Sequence, residues 1–169
     1  MKKIGIIGTG PVAQALANGF IKHGDAVMIG SRDGSKGGDW KQSAGPQAHT
    51  GTMSEAAAFG DLLVLTVKGE VAADALRLAG AENIGNKVVI DTTNPIDHSK
   101  SPVNGVLPLF TDRNDSLMEQ LQRAFPSARF VKAFSCVGNA FMVNPTFPQG
   151  KPTLFICGND DAAKGDVKG

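Results

Sequence analysis

The stretch Gly8-Thr9-Gly10-Pro11-Val12-Ala13 limits what this chain can become more than any other. A short apolar run, Lys2-Lys3-Ile4-Gly5-Ile6-Ile7, leads into it, and apolar residues follow at Val12, Ala13, Leu16, Ala17 and Phe20. Spacing by three and four puts those residues on one helix face. Pro11 suits the first helical position, where the N–H it lacks would go unpaired anyway. His23-Gly24 supplies the stop, with the glycine free to take a left-handed cap. Ala26-Val27-Met28-Ile29 then reads as a second buried strand. Strand, glycine turn, helix and strand thus fit within about thirty residues.

That context turns a common glycine pattern into a dinucleotide-binding fingerprint. Gly8 allows the tight turn, Gly10 lets backbone approach a pyrophosphate, and Ala13 is small enough for the helix to pack on the sheet. The N–H groups of the first helical turn and the positive end of the helix dipole would hold the phosphates. An NAD site places an acid at the end of the second strand, whereas this strand ends in Gly30-Ser31-Arg32. Arg32 suits a 2′-phosphate and the adenine face, Ser31 adds a hydrogen bond and Lys36 further charge. The residues therefore favour NADP(H) over NAD. Asp33 is the contrary signal, because an acid there can turn toward the ribose. A solvated Ser-Arg-Asp turn without a ligand is the plain alternative.

The 169 residues suit a single domain, 1–169, and 41% hydrophobic with 20% charged residues is ordinary for a soluble globular chain. A net charge of +1 gives no reason to expect nucleic acid. No apolar run has the ~18 residues of a membrane helix, and Met1-Lys2-Lys3 leads into a strand, so neither membrane nor signal peptide is expected. Cys136 and Cys157 are too few for a metal site or a disulfide framework, which fits a reduced cytoplasmic setting. The absence of Tyr excludes a tyrosine general acid.

Further along, Gly34–Thr50 leaves room for a short helix, and Thr50-Gly51-Thr52 for a brief edge strand. Ser54 is the expected N-cap of a helix through Phe59 that Gly60 ends. Leu62–Val67 and Lys87–Asp91 read as strands buried on both faces, with a helix over Glu70–Ala79 between them. Ser116-Leu117-Met118-Glu119 has capping-box spacing. Arg129–Ala133 and Pro152–Cys157 complete the strands. The alternation predicts an α/β fold: a doubly wound, mainly parallel Rossmann-type sheet in the order 3-2-1-4-5-6, with an extra strand at the far edge. Two long connections, 92–114 and 134–151, leave the carboxyl edge that also carries Gly8–Gly10, and their convergence marks a substrate pocket.

Taken in order, Gly8-Thr9-Gly10, Gly30-Ser31-Arg32, the Leu62–Val67 strand, Asp91-Thr92-Thr93-Asn94-Pro95, Val131-Lys132-Ala133-Phe134, Val137-Gly138-Asn139 and Cys157-Gly158-Asn159-Asp160 resemble the coenzyme-F420-dependent NADP oxidoreductase family. The resemblance spans nearly the whole chain. It implies that Gly8, Thr9 and Gly10, opening into Pro11 and Val12, hold the pyrophosphate, and that Ser31 and Arg32, beside Lys36, take the 2′-phosphate. It implies further that Thr66-Val67-Lys68 runs beside ribose and nicotinamide, with Asn94-Pro95 and Ala133-Phe134 closing the nicotinamide end. Ser135-Cys136 departs from the family's Asn-Thr. Members continue with another strand and helices that shape the acceptor site and a homodimer contact, so this chain reads as cut short within a C-terminal helix.

Hydride transfer to a flat acceptor needs little acid–base machinery, because the cofactor carries the chemistry. No catalytic residue is assigned. His98 is the histidine placed for proton donation, with a solvated loop residue as its plain reading. Cys136 reads as ligand contact or as inert buried thiol. Phe134, Phe141, Met142 and Phe147 suit either a wall for a flat ring or ordinary core. Lys68 suits phosphate or solvent, and Asp91 reads as structural. The expected function is NADP-dependent hydride transfer with a small-molecule acceptor, flavin-like or F420. The alternatives are an imine or ketone reductase of the pyrroline-5-carboxylate reductase type and a non-catalytic NADP-binding sensor.

Overall fold

The strands are β1 (Lys3–Ile7), β2 (Ala26–Ser31), β3 (Ala48–Thr52), β4 (Leu62–Leu65), β5 (Val88–Asp91) and β6 (Arg129–Lys132) in a computed structural model that describes residues 1–150 and 152–168. All pairings are parallel, in the order β3-β2-β1-β4-β5-β6. This is the doubly wound order read from the alternation of strands and helices. The helices are α1 (Pro11–Lys22), α2 (Gly38–Ala44), α3 (Met53–Phe59), α4 (Ala72–Ala79), α5 (Ala81–Ile84), α6 (Leu117–Ala124) and α7 (Asp161–Lys168).

Side-chain alternation sorts the strands' apolar residues into two layers. Ile4, Ile6, Val64 and Ile90 face α1, where they meet Ala13, Leu16 and Ala17, with Trp40 of α2 at the side. Ile7, Leu63, Leu65 and Val89 face the opposite way, onto Ala56, Ala57, Leu76 and Leu121. Coverage of both faces is why these strands are apolar without interruption.

Two expectations need correction. The N-cap of α3 is Thr52, not Ser54. Thr52 Oγ1 accepts from Glu55 N at 3.1 Å, and the Glu55 carboxylate accepts from Thr52 N at 2.7 Å. A capping box needs its Glu three residues past the cap, a spacing that Thr52 has and Ser54 lacks. Ser116 and Glu119 form the expected box on α6. The second correction concerns the far edge. Pro152–Cys157 is not a strand; its contact with β6 is one antiparallel bridge, Lys132↔Cys157. Pro152 brings no N–H to a ladder, and Leu154 and Phe155 stay 42% and 78% exposed with no layer over them.

The carboxyl ends of β5 and β6 are tied by a buried ion pair. Lys132 Nζ donates to Asp91 Oδ2 at 2.8 Å and to the Thr93 carbonyl at 2.6 Å. Asp91 Oδ1 accepts from Thr93 N at 2.9 Å and Thr93 Oγ1 at 2.7 Å. The Asp91 side chain is 0% exposed, so these partners stand where water would otherwise be. Asp91 is thus structural, as read, and Lys132 is the partner that the sequence did not reveal. Lys132→Met should therefore cost about 3–5 kcal/mol by leaving a buried carboxylate without its counter-charge. Urea denaturation measures this, and a loss below about 1 kcal/mol would show that the pair does not hold the edge.

The connection after β5 folds back on itself through the bridges Ile96↔Leu109 and Val103↔Val106. At its base, hydrogen bonds from Lys100 and then Ser99 hold the Asp97 carboxyl down to about 2, against an ordinary 3.8. A depressed carboxyl stabilises fully above its free value and loses that contribution as pH falls through the folded one. The Ser99 amide resonance should therefore keep its position down to about pH 3 and titrate with a midpoint near 2. A midpoint near 3.8 would refute the turn's role.

Candidate functional site

Three strand ends converge where the glycine turn leaves the sheet. Gly8 N donates to the Gly30 carbonyl at 2.9 Å, joining β1 to β2. Thr66 N and Thr66 Oγ1 both donate to the Ile7 carbonyl at 3.0 Å, joining β1 to the segment after β4. Gly8 has φ +128, and a Cβ there would lie 2.5 Å from Thr66 Oγ1. Gly10 differs: its φ is −75, and a Cβ would meet nothing within 4 Å. Its bareness serves nothing inside the protein and leaves the backbone open to the cleft.

Gly10 is the N-cap of α1, Pro11 is its first residue, and the helix start has neither a side-chain cap nor an acid in its first turn. The initial N–H groups of a helix have no partner within it. Here they open on a cleft of about 670 Å³ between Gly8–Val12 and Thr66–Lys68. Arg32 and Lys36 close one end of it. A lobe of about 210 Å³ adjoins them, lined also by Ser31 and Asp33. Among the described residues Arg32, Lys36 and Lys68 have no ion-pair partner. The Asp33 carboxylate turns to Ser35, whose hydrogen bonds hold its pKa below the ordinary value.

The structure thus brings together Gly8, Thr9, Gly10, Pro11, Val12, Ser31, Arg32, Lys36, Thr66, Val67 and Lys68. Asn94, Pro95, Ala133 and Phe134 do not line this cleft. Asn94 stands at its margin, with its carbonyl against Gly69, the neighbour of Lys68. Its side-chain amide donates to the Ser135 carbonyl at 2.8 Å, which fastens the two long connections to each other.

Phe134 lines a separate cavity of about 440 Å³, with Cys136, Val137, Phe141, Met142 and Leu154. That cavity shares no lining residue with the cleft. The connection after β6 builds it, and the connection after β5 does not line it. Phe134 holds φ +61, a conformation costing a non-glycine residue about 1 kcal/mol or more. Phe147 stacks on Phe141 at 5.2 Å but stays out of the cavity wall. Cys136 is exposed, against the reading of an inert buried thiol. His98 lines neither space: its Nδ1 lies 3.3 Å from Glu70 Oε2, and its N donates to Glu70 Oε1 at 2.9 Å.

Sequence reasoning missed the cleft's apolar wall of Met53, Val71, Ala75 and Leu78. A signal existed for the last three, since they follow helical spacing, and Val71 and Leu78 are half exposed on what would otherwise be a polar face.

Residues 3–95 match the family model for NADP oxidoreductase, coenzyme F420-dependent. The chain belongs to the coenzyme F420-dependent NADP oxidoreductase family. A protein of Arthrobacter sp. FB24, named as an F420-dependent NADP-reductase, superposes with a TM-score of 0.91 at 34% identity, covering 99% of this chain and 78% of its own. The hypothetical protein SMa0349 of Sinorhizobium meliloti superposes with a TM-score of 0.79 at 25% identity, over 99% and 78%. Metalloreductase STEAP3 of Rattus norvegicus is 26% identical over 168 residues, 98% of this chain. The chain spans 30% of that curated relative's length.

The two glycines of this family member should separate in mutagenesis. Gly8→Ala should cost about 1–3 kcal/mol of stability, because backbone and Thr66 both resist a side chain. Gly10→Ala should stay within about 1 kcal/mol of wild type. It should still weaken dinucleotide binding about tenfold or more, since a methyl group there holds the backbone off a pyrophosphate. Thermal melts and calorimetric titrations check both. A destabilised Gly10→Ala would make that glycine structural.

Proposed function

We propose that the chain binds NADP(H) in the Gly8–Lys68 cleft and moves a hydride between it and a planar, flavin- or deazaflavin-like acceptor. The observation that carries this reading is the meeting of an uncapped helix start with Ser31, Arg32 and Lys36 in one cleft. The Thr9–Ala13 backbone receives the pyrophosphate, as N–H groups at a helix start do for anions. Arg32, Lys36 and Ser31 take the 2′-phosphate, and the Arg32 guanidinium lies flat on the adenine. Val67 and Lys68 run along the ribose toward Asn94-Pro95, and with Ala133-Phe134 these close the nicotinamide end. NADP(H), when bound, supplies the hydride chemistry.

The acceptor reading rests on the apolar cavity behind Phe134 and on the family. Among the described residues no His or Cys lines the cleft and the chain has no Tyr, while Lys68 and Asp74 line the cleft and Cys136 lines the cavity behind Phe134. His98, the histidine weighed as a proton donor, lies against Glu70 and lines neither space. An imine or ketone needs a positioned acid, whereas a flavin-like ring accepts a hydride without one from the protein. The apolar cavity behind Phe134 is the place for such a ring, and the relative named as F420-dependent makes deazaflavin the first acceptor to test. Among the described residues no helix is long and apolar enough to cross a membrane, and no cluster of residues could hold a metal ion. A homodimer in a reducing cytoplasm completes the proposal.

Arg32→Ala should weaken NADPH far more than NADH, because only NADPH loses a charge-assisted contact of about 1.5–3 kcal/mol. Titration calorimetry with both cofactors tests this, and equal weakening would refute the 2′-phosphate assignment. Stopped-flow oxidation of bound NADPH with deazaflavin, flavin and cyclic imines then separates the readings. Binding without oxidation by any of them would make the chain a sensor module.

A further inference from the structure

Asp33 stands in the lobe proposed to take the 2′-phosphate, and any role for it toward the cofactor rests on that proposal. One carboxylate oxygen, Oδ1, gathers three donors: Ser35 Oγ at 2.7 Å, Ser35 N at 3.1 Å and Ser31 Oγ at 3.4 Å. Ser31 Oγ in turn accepts from Lys36 N at 3.4 Å. The turn after β2 is therefore folded around an anionic oxygen before any ligand arrives. Two hydroxyls and a backbone N–H converging on one negative oxygen are also what a phosphate asks of its site.

The lobe holds both signs of charge. Arg32 and Lys36 attract a phosphate, and Asp33, lining the same lobe, repels it. The Ser35 hydrogen bonds favour the ionised form of Asp33, so the repulsion persists at neutral pH. A cofactor with a 2′-hydroxyl meets the opposite situation: it brings no charge and can donate to the carboxylate, as the acid of an NAD site accepts from the ribose.

We propose that Asp33 is a specificity-determining residue, an internal anion that holds the Ser31 and Ser35 donors and limits the preference for NADPH over NADH. Arg32 and Lys36 set the direction of that preference; Asp33 sets its size. It does so from two positions beyond the end of β2.

Asp33→Asn tests this cleanly, because asparagine keeps the acceptor for Ser35 N and removes only the charge. Wild type and variant are titrated with NADPH and NADH by calorimetry, at low salt and near 0.5 M. The variant should bind NADPH about fivefold more tightly at low salt, with most of the gain lost at high salt as screening sets in. NADH affinity should stay level or fall. Asp33→Ser, which also removes the charge, should move NADPH in the same direction, and thermal melts confirm that both variants fold. A variant that binds NADPH no better than wild type overturns the proposal, and equal weakening of both cofactors would mean that Asp33 only shapes the turn. A wild-type chain that binds neither cofactor removes the cofactor reading and this inference with it. Selective wild-type binding of NADPH with an indifferent Asp33→Asn removes the inference alone.

Discussion

The carbonyl of Ile7 accepts two hydrogen bonds from Thr66, and the amide of Gly8 donates to Gly30. On these bonds at the end of β1 the rest of the molecule depends. They hold the ends of three neighbouring strands at one height, so that the turn into α1, the turn after β2 and the segment after β4 open on the same space. Buried backbone groups that lose such partners cost about 1–3 kcal/mol each. The cleft is thus fixed by the same bonds that finish the sheet, and it needs no ligand to take shape.

Much of that arrangement is legible in the sequence, because it is local. Lys3 to Arg32 is one continuous strand, turn, helix and strand, and its periodicities reveal both the elements and the rim they share. What escapes the sequence is set by distant partners. Lys132 and Asp91 are separated by 41 residues, and nothing near either one announces the other. The apolar stretch Pro152–Cys157 looks like a strand on composition alone, yet a strand exists only where a neighbour receives its hydrogen bonds. The cap of α3 was in principle readable, since Thr52 and Glu55 have the spacing that Ser54 lacks.

The site divides along the same line. The cleft stands on strand termini and the first turn of a helix, and Gly8–Val12, Arg32, Lys36 and Thr66–Lys68 line it, with Ser31 in the adjoining lobe. The other end of the expected site, Asn94, Pro95, Ala133 and Phe134, lies outside that cleft and takes its place from the two long connections. Three ties hold that end together: the Lys132–Asp91 pair, the Asn94–Ser135 hydrogen bond and the contacts of His98 with Glu70. Rigid elements thus form the cleft and loops form the separate cavity, a division of labour usual among enzymes.

Strand order has a consequence for how each copy is made. β1 is synthesised first, yet it lies inside the sheet, and its neighbour β4 pairs Leu62 with Ile4. At about 5–20 residues per second, roughly several seconds pass between the two strands leaving the ribosome. Throughout that interval β1 can pair with β2 but keeps its other edge open, with Ile4, Ile6 and Ile7 alongside. An open apolar edge is a template for wrong pairing. The enclosure that gives the finished protein its cleft is therefore also a period of exposure through which every nascent chain must pass.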